Sequence, residues 1–234
     1  MKILKKDFVE ETTESYCAKG HKLSSGTAYF MRDRGGNIHY GGKQCAELHG
    51  TNNVSDVPDL TKSLVSLKQG ESGTSSGASQ KTTSEKNERS TAISYLLLRE
   101  ELLKDFSLKN RRLSFEKLKE YYNYYKENDD LTESQIKHII NIESFSKKNI
   151  NSKLSLKNLS TCHAYRFILN RTFYYLEKKN NDKGIAFILS LRSHLLRKCS
   201  LTLEQIEGLK RWIQYLPNDL RNAKLRDFEY EHNK

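Results

Sequence analysis

The sequence predicts a mainly α-helical chain that opens with a small ββα module. Three observations predict it. Two Cys-x3-His pairs, Cys17/His21 and Cys45/His49, bracket a glycine-marked hairpin pattern. Residues 70–92 are rich in Ser, Thr and Gly, with only Ala78 and Ala92 as apolar side chains. From Ile93 onward apolar residues recur at helical spacing, and Pro217 is the only proline in that part.

The module is read from its turn chemistry. Thr27 to Arg32 and Asn37 to Tyr40 are expected as two short strands, with Asp33-Arg34-Gly35-Gly36 as the turn between them. Gly41-Gly42 ends the hairpin. Cys45 and His49 then fall on one face of a helix starting near Lys43. Gly20, just before His21, lets the first pair curl into a tight knuckle. Two Cys and two His fill the tetrahedral shell that zinc prefers, so Cys17, His21, Cys45 and His49 are the candidate ligands. His39, in the second strand, is a substitute if His21 or His49 is not a ligand. A closed four-ligand shell points to structural zinc, since catalysis needs an open position. Residues 1–60 are also too few for a comfortable hydrophobic core, which makes a metal staple physically expected.

Knuckle, hairpin and helix start, in that order, resemble a treble-clef zinc finger over residues 15–52. The Cys-His, Cys-His order departs from the usual cysteine-rich version. Such fingers occur among nucleic-acid binders, protein adaptors and purely structural modules, so the resemblance implies a fold and leaves the function open. Some metal-dependent nucleases use a similar hairpin-plus-helix scaffold. On that minor alternative His39 would activate water.

Residues 61–92 are expected as a flexible linker, because their Ser/Thr/Gly-rich part, 70–92, has too little apolar surface to offset the entropy of ordering. A helical domain is expected over 93–216. A shift of 70 residues lays Leu131-Thr132-Glu133-Ser134-Gln135-Ile136 on Leu201-Thr202-Leu203-Glu204-Gln205-Ile206, and Tyr95 on Tyr165. The implied tandem repeat, 93–146 and 163–216, reads as helices over 93–106, 114–127 and 132–144, then 162–179, 184–198 and 202–215. Thr132 and Thr202 are expected N-caps, with Gln135 and Gln205 closing capping boxes. Leu131 on Ile136 and Leu201 on Ile206 are the matching hydrophobic staples. The other apolar stripes, from Phe115 to Tyr125 and from Leu203 to Leu216, are expected to be core. Asn123 interrupts the first stripe and leaves Tyr124 as the tyrosine facing solvent. Residues 217–234 are expected as a charged C-terminal tail.

The net charge of +11 is uneven. Residues 1–60 hold eight basic and eight acidic side chains, whereas 144–200 carry twelve basic side chains against Glu177 and Asp182. Lys147, Lys148, Lys153, Lys157, Arg166 and Arg171 lie in an acid-free stretch interleaved with Ser and Asn. Cations that neutralise phosphates, with hydroxyls and amides that fix register, suit a nucleic-acid backbone. The leading expectation is a non-enzymatic nucleic-acid-binding protein, with DNA ahead of RNA. The zinc module would add a second contact or recruit a partner. The alternative is a protein-protein interaction factor, an inhibitor or adaptor with a tethered zinc module.

Phosphate-loop and dinucleotide motifs are absent from the sequence. No apolar run is long enough to cross a bilayer, and no signal-peptide pattern opens the chain. With two cysteines claimed by the metal, Cys162 and Cys199 are expected as buried thiols, which fits a reducing cytoplasm.

Overall fold

A computed structural model describes residues 1–62, 64–66, 80–106, 115–148 and 152–228 of the chain. The N-terminal module contains strands β1 (Lys2–Phe8), β2 (Glu14–Ser15), β3 (Ala18–Lys22), β4 (Thr27–Arg32) and β5 (Ile38–Gly41), followed by helix α1 (Lys43–His49). The hairpin β4–β5 and the start of α1 fall where the sequence places them. Asp33 closes the hairpin turn, its carboxylate accepting from the Asn37 backbone N–H at 2.9 Å. Beyond that expectation, β1 adds an edge strand, giving an antiparallel sheet in the order β1-β4-β5. Ile3, Met31, Cys45, Ala46 and Val57 form a small core under this sheet.

A short strand, β6 (Leu64–Ser66), leads toward the helices. They are α2 (Gln80–Phe106), α3 (Glu116–Asn128), α4 (Glu133–Lys148), α5 (Leu156–Lys178), α6 (Asp182–Lys198), α7 (Leu203–Ile213) and the single turn α8 (Asn218–Arg221). The two expected triplets are α2–α4 and α5–α7. Thr132 and Thr202 each accept from the backbone N–H three residues on, while Gln135 and Gln205 each accept from the N-cap backbone at 2.9 Å. The staple residues Leu131, Ile136, Leu201 and Ile206 are all buried, as are Tyr95 and Tyr165 at the matched helix positions. The shared Leu-Thr-x-x-Gln-Ile string is therefore helix-start chemistry, as its spacing predicts. Asn123 is exposed and Tyr124 is the most open tyrosine of its helix, also as expected. Phe115 and Leu203 depart from the core expectation. Each flanks a helix start and is largely exposed.

Three expectations about organisation change. First, α2 begins at Gln80, well inside the segment read as linker, and Arg89 on it pairs with Asp130 and Glu133. Residues 80–92 contain Gln, Lys, Glu and Arg, which are good helix formers, and they extend an apolar helix that is already nucleated. Residues 63 and 67–79 of the expected linker lie outside the described residues.

Second, the expected tail folds back as far as Phe228. Leu220 and Phe228 enter the main core, and strand β7 (Ala223–Leu225) pairs antiparallel with β6. High charge between these two apolar residues hides them in a composition count.

Third, the module packs against the helices. The chain after α1 runs beside β1, with Leu60 N–H donating to the Lys6 carbonyl at 2.9 Å, and Leu60 is buried in the helical core. Phe8 stacks on Phe167 with ring centroids 4.3 Å apart. Arg32 and Lys2 both pair with Asp129 between α3 and α4.

Candidate metal centre and basic stretch

The β2–β3 hairpin turns so tightly that Ser15 pairs with Ala18, which puts Tyr16 and Cys17 at its tip. The Tyr16 N–H donates to the Tyr40 carbonyl at 2.8 Å and pins this tip against β5. Cys45, in the first turns of α1, is buried beneath it. Gly41 makes that approach possible, because a Cβ there would stand 2.7 Å from the Cys45 sulfur. The result is a cluster of Cys17, Cys45 and His49 whose ligand atoms all lie within 4.8 Å of one another. Cys17 and Cys45 are joined as a disulfide, with Cα atoms 5.9 Å apart.

Three of the four predicted ligands thus meet. Two sulfurs and an imidazole are a donor set that suits a soft or borderline divalent ion once both thiols are free. The fourth, His21, sits exposed on β3 outside the cluster. His39 is not in the cluster either. Its Nε2 is 2.9 Å from the Asp33 carboxylate, and its ring packs edge-on against Tyr16 at 4.8 Å. Tyr16 also meets the His49 ring, at 5.2 Å. The hydrogen bond from His39 and those from Asn37 hold the Asp33 carboxyl well below the usual carboxylate range.

The basic stretch is divided among several environments. Lys147 and Lys148 form the end of α4, and their side chains lie outside the described residues. Lys153 is half-buried in a 3-10 turn, and Lys157 is exposed in the first turn of α5. Arg166 is half-buried and Arg171 buried, both facing the N-terminal module. The interleaved polar residues serve the helix itself. Ser155 caps α5 by accepting from the Asn158 N–H, and Ser160, Thr161 and Thr172 each donate to a carbonyl one turn back. Asn158 donates to the carbonyls of Lys153 and Cys199, both at 2.9 Å. Ser155, Asn158 and Ser160, read as register-setting phosphate contacts, are thus spent on backbone satisfaction inside the fold. Cys162 and Cys199 are buried free thiols, and burial pushes both up from the usual thiol range.

The stretch contains no acid, but acids reach it from the other end of the chain. Asp7 Oδ1 is 2.7 Å from His163 Nε2, and both side chains are almost fully buried. Burial alone would raise the Asp7 carboxyl. The His163 hydrogen bond and the charges of His163 and Lys5 outweigh it and hold the carboxyl well below the usual range. Glu11 lies 3.4 Å from Lys178 and 3.9 Å from Arg171. Sequence reading passed over Asp7 and Glu11 because nothing local marks residues more than 150 positions apart as partners. One signal was present. His163, Arg166, Asn170, Arg171 and Tyr174 recur at helical spacing and give a mostly buried helix a polar face.

Comparison with known proteins finds no matching family, no matching curated protein and no matching solved structure. No described helix is long and apolar enough to cross a membrane.

Proposed function

We propose that the protein is a non-enzymatic nucleic-acid-binding factor whose N-terminal module is a treble-clef-like zinc finger. Zinc would be held by Cys17, Cys45 and His49, with His21 or His39 as the fourth donor after a side-chain rearrangement. The metal would supply folding energy to a module whose own core is five residues.

One observation carries the nucleic-acid reading. The Asn158–Cys199 hydrogen bond holds the start of α5 against the end of α6, and so gathers Lys153, Lys157, Arg197 and Lys198 at one end of the second triplet. That end is the natural place for phosphate contacts. Arg166 and Arg171 face inward and are not counted among them. Leu48, 76% exposed on α1 beside His49, supports a secondary reading in which the finger recruits a protein partner.

The test is a salt titration with duplex DNA, single strands and RNA. Log affinity should fall linearly with log salt, with a slope of about 0.9 per phosphate contacted on duplex DNA. Changing Lys153, Lys157, Arg197 and Lys198 to Ala should flatten that slope for every sequence alike. A chain that binds none of the three at low salt would move the assignment to the protein-partner reading.

A further inference from the structure

A cleft of about 900 Å³ opens where the N-terminal module meets α5. Its α5 wall is the polar stripe already noted, including His163, Asn170, Arg171 and Tyr174. Helical spacing puts these residues on one face, and that face is where an apolar stripe would ordinarily seal the contact between two layers. Three polar atoms on it, His163 Nδ1, Asn170 Oδ1 and Arg171 Nη1, are shielded from solvent and have no hydrogen-bond partner. Buried polar groups are normally satisfied, and three orphans lining one cleft require a common explanation. Arg171 is the most demanding of them, because a guanidinium stays charged and its side chain is only 7% exposed. Glu11, its nearby acid, stands at 3.9 Å, beyond hydrogen-bond reach, and is itself half-exposed.

We propose that this cleft binds a small ligand bearing a single terminal phosphate, of nucleoside monophosphate size. The phosphate oxygens would accept from Arg171 Nη1. Asn170 Oδ1 needs a donor, which a ribose hydroxyl of the nucleotide supplies. His163 Nε2 carries the proton shared with the Asp7 carboxylate, since a carboxylate only accepts. Its Nδ1 is thereby turned toward a ligand group. The volume lies in the range of small-molecule sites and is far more than a bare phosphate fills. Tyr174, about half exposed, and Tyr40, half-buried, line the same cleft and offer ring faces for a base.

The charge of the rim sets the number of phosphates. Glu10 and Glu14 line the module side of the cleft, and like charges there disfavour a polyanion such as a nucleoside triphosphate or a strand of nucleic acid. Glu11 stands where the ligand's oxyanion would sit, between Arg171 and Lys178, and gives way when the ligand enters. The proposal does not rest on the nucleic-acid reading, which uses the opposite end of α5.

The test is calorimetric titration of the full chain with adenosine 5′-monophosphate, beside inorganic phosphate, adenosine and ATP. The monophosphate should bind saturably and inorganic phosphate more weakly, with adenosine and ATP both weaker by about tenfold or more. Arg171→Met should abolish binding. Asn170→Asp keeps the shape but sets a negative charge beside the ligand, so it should weaken binding by about tenfold. Glu11→Gln should tighten it by removing the competing carboxylate. Should Arg171→Met fail to fold, the other two variants decide, with circular dichroism as the check on their fold. No binding of either the monophosphate or phosphate, ATP binding as tightly as the monophosphate, or an Asn170→Asp variant that binds like the natural chain would each overturn the proposal.

Discussion

Asp7 on the first strand and His163 on the fifth helix lie 156 positions apart and share a buried hydrogen bond of 2.7 Å. Lys5 extends the pair, its ammonium 2.7 Å from Asp7 and 3.0 Å from Glu101 on α2. Burial would lower the Lys5 ammonium, but these two carboxylates raise it above its usual value. The N-terminal strand is thus joined to two helices of the body by charged groups largely withdrawn from water. Such a network is costly to break, because removing one member leaves the others buried and unpaired.

The first prediction follows from the sign of the Asp7 shift. Its folded pKa is depressed below the ordinary value of about 3.9, so the folded state holds this proton less tightly than the unfolded chain. Asp7 therefore contributes stability that is fully present above about pH 5 and is lost as pH falls below that. Asp7→Asn should cost about 3 kcal/mol at neutral pH and should flatten the acid limb of stability against pH. Urea unfolding at a series of pH values checks it. An unchanged acid limb would remove Asp7 from this role.

The docked interface makes a second prediction, that the described parts unfold together. Phe8 stacks on Phe167, and Gly26, at φ +67°, lies so close that a Cβ would stand 2.5 Å from the Phe167 ring. Phe8→Ala should cost about 2 kcal/mol, from lost packing and from the ring pair. Gly26→Ala should be destabilising on two counts, a strained left-handed backbone and a clash with that ring. Both changes sit in or beside the module, yet each should lower the single unfolding midpoint read by tryptophan fluorescence from Trp212, in the other half of the chain. A shift seen only in probes of the module would show two independent units.

Third, the paired capping boxes should behave alike. Thr132→Ala and Thr202→Ala each remove a hydroxyl that accepts from the third helical N–H, and each should cost about 1 kcal/mol. Thr132 is the more exposed of the two, so its loss should be the smaller. Denaturant midpoints at a constant m-value would measure both.

Much of this fold was legible in local sequence. Turn chemistry at Asp33 to Gly36 fixed the hairpin, and the recurring Leu-Thr-x-x-Gln-Ile string fixed two helix starts, because both depend on neighbours a few residues apart. What was not legible depends on distant pairing. Nothing near Asp7 announces a histidine on α5, and nothing in the charged C-terminal segment announces that Leu220 and Phe228 close the core. The candidate metal site was legible in three of its ligands, since Cys45 and His49 share a helix face and Cys17 rides a tight hairpin. His21 was not separable by spacing from a surface strand position. Part of the basic stretch sits differently from its sequence reading, for a physical reason. Arg166 and Arg171 face inward, where the fold brings Asp7 and Glu11 to them, and the hydroxyls of this helix bond its own backbone.

The last prediction concerns Cys17 and Cys45, whose sulfurs can close on each other or share a metal, but not both. Metal binding requires both as thiolates, so the two states exclude one another and the redox poise selects between them. Protein purified under reducing conditions should carry close to one equivalent of zinc by elemental analysis, and a mild thiol oxidant should release it as the disulfide forms. Cys45→Ser should lose the metal. His49→Ala should weaken binding by about tenfold or more, whereas His21→Ala should cost less, since His21 lies outside the cluster and His39 can take its place. Chelation of the reduced protein should lower the melting temperature of the whole chain, because the metal staples a module that shares its core contact, Leu60, with the helices. Reduced protein that carries no zinc, or a Cys45→Ser variant that keeps its full complement, would leave the disulfide as the only role for this pair.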